Sequence, residues 1–194
     1  MLPSAQVWGT IYNPSEPNSV RHIQRMRAIA IELGLVLLEA TIDDSSQVYA
    51  AAQSLLPRVE AFVITSDNTT VNNLDALIDF AKEHQTPVFA GDVDSVRLGA
   101  VAAFGMDYFL VGYAAGRKAG LILQGVKPVD IPWGPLANFS FVINRQTARE
   151  QGLNIDPRML KIADEVLDSD SDIRDGLSAM PGARGEPGAK DMAS

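Results

Sequence analysis

The stretch VWGTIYNPSEPNSV, residues 7–20, decides the fold class. Val7 to Tyr12 form an apolar run. Two prolines, two asparagines and two serines follow at once, so the chain must turn there. Val20, Ile23, Met26, Ala30 and Leu33 then recur at helical spacing, and Gly34 stands where a C-cap belongs. The stretch therefore reads as a buried strand, a stiff polar turn and a helix over 19–33. Working outward, short apolar runs predict strands over 35–42, 61–65, 87–90, 100–104 and 139–143. Helical periodicity predicts helices over 47–56, 72–84 and 108–124, with two more near 145–151 and 157–167. In the helix over 108–124, Gly112 and Gly116 are one turn apart, a spacing that lets a helix lie close on a sheet.

Strands that alternate with helices across short connections, and that are apolar on both faces, define an α/β fold: a parallel β-sheet flanked by helices on both faces. The 194 residues suffice for one sizeable core. Residues 1–167 are expected to form that unit. Residues 168–194 are acidic, then rich in glycine and proline, with almost no bulky apolar side chain. That composition cannot bury enough surface to offset ordering, so a disordered tail is expected there. Gly182, Gly185 and Gly188 fall every third residue, but so short a run has no triple-helical stability.

Composition removes several function classes. A net charge of -8 gives no basic face for nucleic acid or for an anionic membrane surface. The absence of cysteine removes thiol catalysis, disulfides and cysteine–zinc sites. His22 and His84 lie far apart in helical stretches and read as surface residues, so no metal and no cofactor are expected. No apolar run approaches the ~20 residues that span a bilayer, so no direct membrane insertion is expected. The N-terminus carries no signal-peptide pattern.

Parallel sheets bind ligands outside the carboxyl ends of their strands, so the residues after each strand are the candidates. After the first come Asn13, Pro14, Ser15, Glu16, Pro17, Asn18 and Ser19. Asp43 and Asp44 follow the second, and Ser66, Asp67, Asn68 and Thr69 the third. Gly91, Asp92, Val93 and Asp94 follow the fourth, and Gly105, Met106, Asp107 and Tyr108 the fifth. The first turn has two prolines and no glycine, against dinucleotide binding. No P-loop and no Gly-x-Ser-x-Gly elbow occurs. A helix start at Asn18 or Ser19 suits an anion, and acidic strand ends suit a cationic or hydroxyl-rich group. Together they fit a zwitterion such as an amino acid, or a polyol. Each of these residue types is also an ordinary turn or capping residue. Asp67, Asn68 and Asp92 rank above Asp43 and Asp44 because they follow central strands.

The Tyr-Asn-Pro-x-Glu turn, Thr65-Ser66-Asp67-Asn68, the Phe-Ala-Gly-Asp stretch ending in Asp92, and Gly105-Met106-Asp107-Tyr108 together resemble the substrate-binding proteins of bacterial ABC transporters. The resemblance is to their tryptophan/tyrosine-type branch, with a periplasmic-binding-protein type I fold, and it runs in order to about Val166. It implies two lobes closing on a small ligand, with no covalent chemistry and hence no enzyme. It implies delivery to ABC permease and ATPase subunits, and a periplasmic or otherwise extracytoplasmic location. Without a signal peptide, a true start at Met1 would instead leave the chain cytoplasmic. By resemblance Asn13, Ser15, Asn18, Asp67, Asn68, Asp92 and Asp107 face the ligand, with Asp92 or Asp67 the partner of an ammonium group. Relatives carry a lobe of comparable size before this region, so the chain is expected to be a C-terminal portion, binding more weakly than micromolar by itself. A stand-alone sensory module and a flavodoxin-like enzyme are the alternative readings.

Overall fold

The computed structural model describes residues 1–2, 4–134 and 139–168; the tail expected over 168–194 lies, from 169 on, outside them. Val7–Tyr12 form β1, buried at its carboxyl end. The first helix, α1, spans Pro17–Leu33, two residues earlier than the periodicity predicts. Proline is well placed at the first helical position because its missing N–H would have no partner there. Gly34 ends α1 in the left-handed region at φ 68°, and the Leu35 N–H donates to the Ala30 carbonyl at 2.8 Å, a glycine-terminated stop.

The chain continues through β2 (Val36–Thr41), α2 (Val48–Leu55), β3 (Ala61–Ile64), α3 (Asn68–Val71), α4 (Leu74–Glu83), β4 (Val88–Asp92) and α5 (Asp94–Arg97). It ends with β5 (Ala102–Met106), α6 (Tyr108–Leu123), β6 (Phe139–Asn144), α7 (Arg145–Glu150), α8 (Pro157–Ile162) and β7 (Glu165–Leu167). The seven strands lie in the order β2-β1-β3-β4-β5-β6-β7. On one face, Ile11, Phe62 and Ile64 pack against Val48, Ala52 and Leu55 of α2 and Leu77 and Ile78 of α4. On the other face, α1 buries Ile23 and Ala30, and Ala148 and Leu153 join Ala102 and Ile143 in a second cluster. Helices cover both faces, as the alternation requires.

Four features differ from the sequence reading. The sheet is mostly parallel, but β6 runs antiparallel to β5, with Met106 opposite Phe139. The chain leaves and re-enters the sheet at the same edge, so β6 must run back the other way. The predicted helix over 157–167 stops at Ile162, and residues 165–167 pair with β6 instead. Two four-residue helices, α3 and α5, are too short to show a period. Finally, α6 does not lie on the sheet: none of its residues is buried, and a methyl group placed on Gly112, Gly116 or Gly120 would meet nothing within 4 Å. Phe109, Tyr113 and Leu123 of α6 are exposed.

Candidate functional site

Asn13, Ser15, Asn18, Asp67, Asn68, Asp92 and Asp107 lie at or just after the carboxyl ends of β1, β3, β4 and β5, which are parallel neighbours, so all lie along one edge of the sheet, with Asp43 and Asp44 after the outer strand β2. Most of them are engaged with one another. Asn13 is buried. Its N–H donates to Asp67 Oδ2 at 2.9 Å, its Nδ2 donates to Thr69 Oγ1 at 3.0 Å, and its Oδ1 accepts from the Ser15 N–H at 2.8 Å. Asp67 is fully buried. Its Oδ1 accepts from the N–H and hydroxyl of Thr70, both at 2.7 Å. It thus caps α3 and ties that helix to the turn after β1. Asp92 is buried and accepts from the N–H of Ser95 at 2.9 Å and from its hydroxyl. Both carboxylates that the sequence reading pairs with an ammonium group therefore have structural partners.

Ser15, Asn18 and Asn68 are exposed, and Asp107 is half-buried. Asn18 donates through Nδ2 to the Ser66 carbonyl at 3.1 Å, which leaves its Oδ1 open. Asn68 donates through Nδ2 to Glu16 at 2.8 Å. Asp107 caps α6 by accepting from the Leu110 N–H at 3.2 Å, with its second oxygen available.

Three further residues shape this edge. Glu16 precedes α1 but makes no side-chain cap on it. Its carboxylate reaches instead to α3. There it accepts from the N–H and Nδ2 of Asn68 at 3.1 and 2.8 Å, and from the N–H and hydroxyl of Thr69 at 3.0 and 2.7 Å. Burial opposes ionisation of Glu16, but the hydrogen bonds from Thr69 and Asn68 outweigh it and hold the group below the usual carboxylate range. Asp94 opens α5. Partial burial, then the charges of Asp92 and Asp107, push it above the usual range, against a smaller pull from Arg97. Such a group favours a neighbouring cation. Thr65 follows β3 with its hydroxyl buried and unpartnered, as are those of Thr10 and Ser19.

The sequence signal for Glu16 and Asp94 was their place in strand-end turns. What that place cannot give is which carboxylates the fold consumes. Among the described residues no group of three or more His, Asp or Glu side chains could hold a metal ion. A cavity of about 720 Å³ lined by Met1 and residues 154–159 contains none of these residues. It follows β6, which runs opposite to β5, and so lies away from the carboxyl edge.

Residues 1–167 match the family model described as ABC transporter substrate binding protein. The chain is 32% identical over 149 residues to a tyrosine-binding protein of Clostridioides difficile, covering 77% of this chain and 43% of that one. Among solved structures, a conserved domain protein from Vibrio cholerae superposes with a TM-score of 0.76 at 29% identity, covering 85% of this chain and 56% of that one. The ABC domain from Streptococcus pneumonia in complex with L-Trp superposes with a TM-score of 0.75 at 25% identity, with the same coverage. The chain spans about half the length of the relatives it matches.

Proposed function

This chain belongs to the family of ABC transporter substrate binding proteins, and from that premise we propose that it is one lobe of a solute receptor for an import system, taking an amino acid of the aromatic class. The observation that carries this reading is the carboxyl edge of the sheet. Asn13 and Asp67 brace its turns, while Ser15, Asn18, Asn68, Asp92 and Asp107 line it beside Asp94. Donors gather at the β1 end and carboxylates at the β4–β5 end, the two halves of a zwitterion's complement. The relatives with printed ligands bind tyrosine and L-Trp. Binding, with no covalent step, is the role of such an edge; the chain works outside the cytoplasm, where it meets an ABC permease whose ATPase subunits complete the import system. No helix among the described residues is long and apolar enough to cross a membrane.

A second lobe completes the receptor in this reading. Helix α6 is 16 residues long, apolar, and without a buried residue. Exposed aromatic and aliphatic side chains at this density mark an interaction surface. The relatives are about twice as long as the matched region, and their remaining half supplies a surface to cover it. Enclosure between two lobes excludes water and strengthens each polar contact. One lobe alone therefore binds more weakly than micromolar. Titrating the purified chain with L-tryptophan, L-tyrosine and glycine, followed by amide NMR shifts, tests the proposal. Saturable shifts at the strand ends with the two aromatic amino acids, and smaller ones with glycine, are expected. No shift with any of the three overturns it.

A further inference from the structure

We propose that the outer edge of β2 pairs with the same edge of a second copy of this chain, antiparallel about a two-fold axis at Glu39. β2 ends the strand order, so among the described residues no strand pairs with its outer side. It runs in unbroken register with β1 from Val36 to Thr41. The Val36 N–H donates to the Gln6 carbonyl at 2.8 Å, and the Ile42 N–H to the Tyr12 carbonyl at 3.0 Å. Val36, Leu38, Ala40 and Ile42 thus turn their backbone groups toward β1, and Leu37, Glu39 and Thr41 turn theirs outward. Proteins blunt such edges with proline, lysine, a bulge or a very short strand. β2 has none of these. The opposite edge of the sheet is blunted, because β7 is only three residues long.

Register and charge select a second copy as the occupant. Antiparallel pairing centred on Glu39 sets Glu39 opposite itself and Leu37 opposite Thr41, so every outward N–H and C=O finds a partner. A two-fold contact is self-complementary in this way. Its hazard is the pair of Glu39 side chains, which fall side by side, and like charges directly opposite destabilise a sheet. Arg27 removes that hazard. Its Nε and Nη2 hold Glu39 at 2.6 and 2.7 Å, while its Nη1 has no acceptor among the described residues. A guanidinium has five N–H donors, so each Arg27 keeps donors for the Glu39 of the other copy. Two arginines and two carboxylates then gather around the axis, with no net charge. A strand from an unrelated protein would leave those donors unmet. The flank of the edge is apolar. Ile31 lies one turn from Arg27 on the same side of α1, and Ile31, Leu33 and Val36 are 80%, 61% and 50% exposed. Covering them adds the apolar burial that backbone pairing alone lacks.

The experiment takes the whole chain, labelled with ¹⁵N, through sedimentation equilibrium from about 1 µM to about 1 mM, with amide exchange read at both ends of that range. The mass is expected to rise from one chain to two, and the Leu37, Glu39 and Thr41 amides to become protected as it does. Thr41→Pro removes an N–H on the outer side, where proline leaves the ladder to β1 undisturbed. Thr41 lies at both ends of the paired edge, so two hydrogen bonds go and the dimer should weaken at least about tenfold. A monomer throughout the range overturns the proposal. So does a dimer whose three amides stay unprotected, or one that Thr41→Pro leaves intact, because its contact then runs through α6 or another surface. If Thr41→Pro does not fold, amide protection in the unaltered chain decides by itself.

Discussion

Glu16→Gln isolates the contact that joins the turn after β1 to the start of α3. The carboxylate accepts four hydrogen bonds, two on each oxygen. Glutamine keeps one oxygen and turns an NH₂ toward two donors, so two bonds go and two donors face a donor. A hydrogen bond to a charged group contributes about 1.5–3 kcal/mol when protected; partial exposure of Glu16 places this site at the lower end of that range. The expected loss at pH 7 is about 2 kcal/mol in total. The pH dependence has a definite sign. The folded Glu16 titrates below the ordinary glutamate value, so its stabilisation is complete above that value and disappears as pH falls through the lower, folded one. Urea denaturation followed by circular dichroism, at pH 7 and again near pH 3, measures both. A double-mutant cycle with Thr69→Val reports the coupling directly. A loss below about 0.5 kcal/mol at pH 7, or one that persists unchanged in acid, would refute the reasoning.

Gln151 is fully buried and accepts from the Val88 N–H at 2.8 Å while donating to the Gly99 carbonyl at 3.1 Å. Gln151→Leu leaves both backbone groups unpaired and should cost about 3 kcal/mol in urea denaturation; a cost under about 1 kcal/mol counts against that bracing role. Gly105 faces the backbone of β4, and a methyl group there would run into the Gly91 carbonyl, whose carbon lies 2.7 Å away. Gly105→Ala should therefore destabilise by about 3 kcal/mol or more, whereas Gly112→Ala, in open space, should be neutral or better; equal effects at the two sites would contradict the packing described. Asp94 is raised above its ordinary value, so its ionisation opposes folding and stability falls as pH rises through the folded value. Asp94→Asn should gain up to about 1 kcal/mol at pH 7 and weaken binding of any cationic probe; thermal melts showing a loss of stability would exclude the repulsion argument.

The elements carried by long-period patterning were legible in the chain itself. Residues 7–20 announced a buried strand, a turn and a helix, and the burial of Ile23 and Ala30 follows the period that predicted it. Gly34 stops α1 as its place predicted, whereas Asp67 and Asp107, read as ligand contacts with capping only as the ordinary duty of their residue type, each cap the helix that follows. The edge that gathers the polar residues was also legible, because alternating strands and helices fix which strand ends face together.

Tertiary structure alone decided three things. The direction of β6 depends on α6 standing away from the sheet, and α6 has the apolar composition of a packed helix, so composition could not say what it packs on. Residues 165–167 continue a helical-looking run but gain partners on β6, and pairing across the sheet outweighs local propensity. The division of labour at the candidate site was the least legible of all. Asp67 and Asp94 are the same residue type in similar turns, yet one is consumed by donors from Asn13 and Thr70 while the other is left in the field of Asp92 and Asp107. Sequence fixes which groups can ionise and which edge they reach; which of them remain free for a ligand depends on hydrogen bonds between segments more than 50 residues apart, and only the folded chain brings those together.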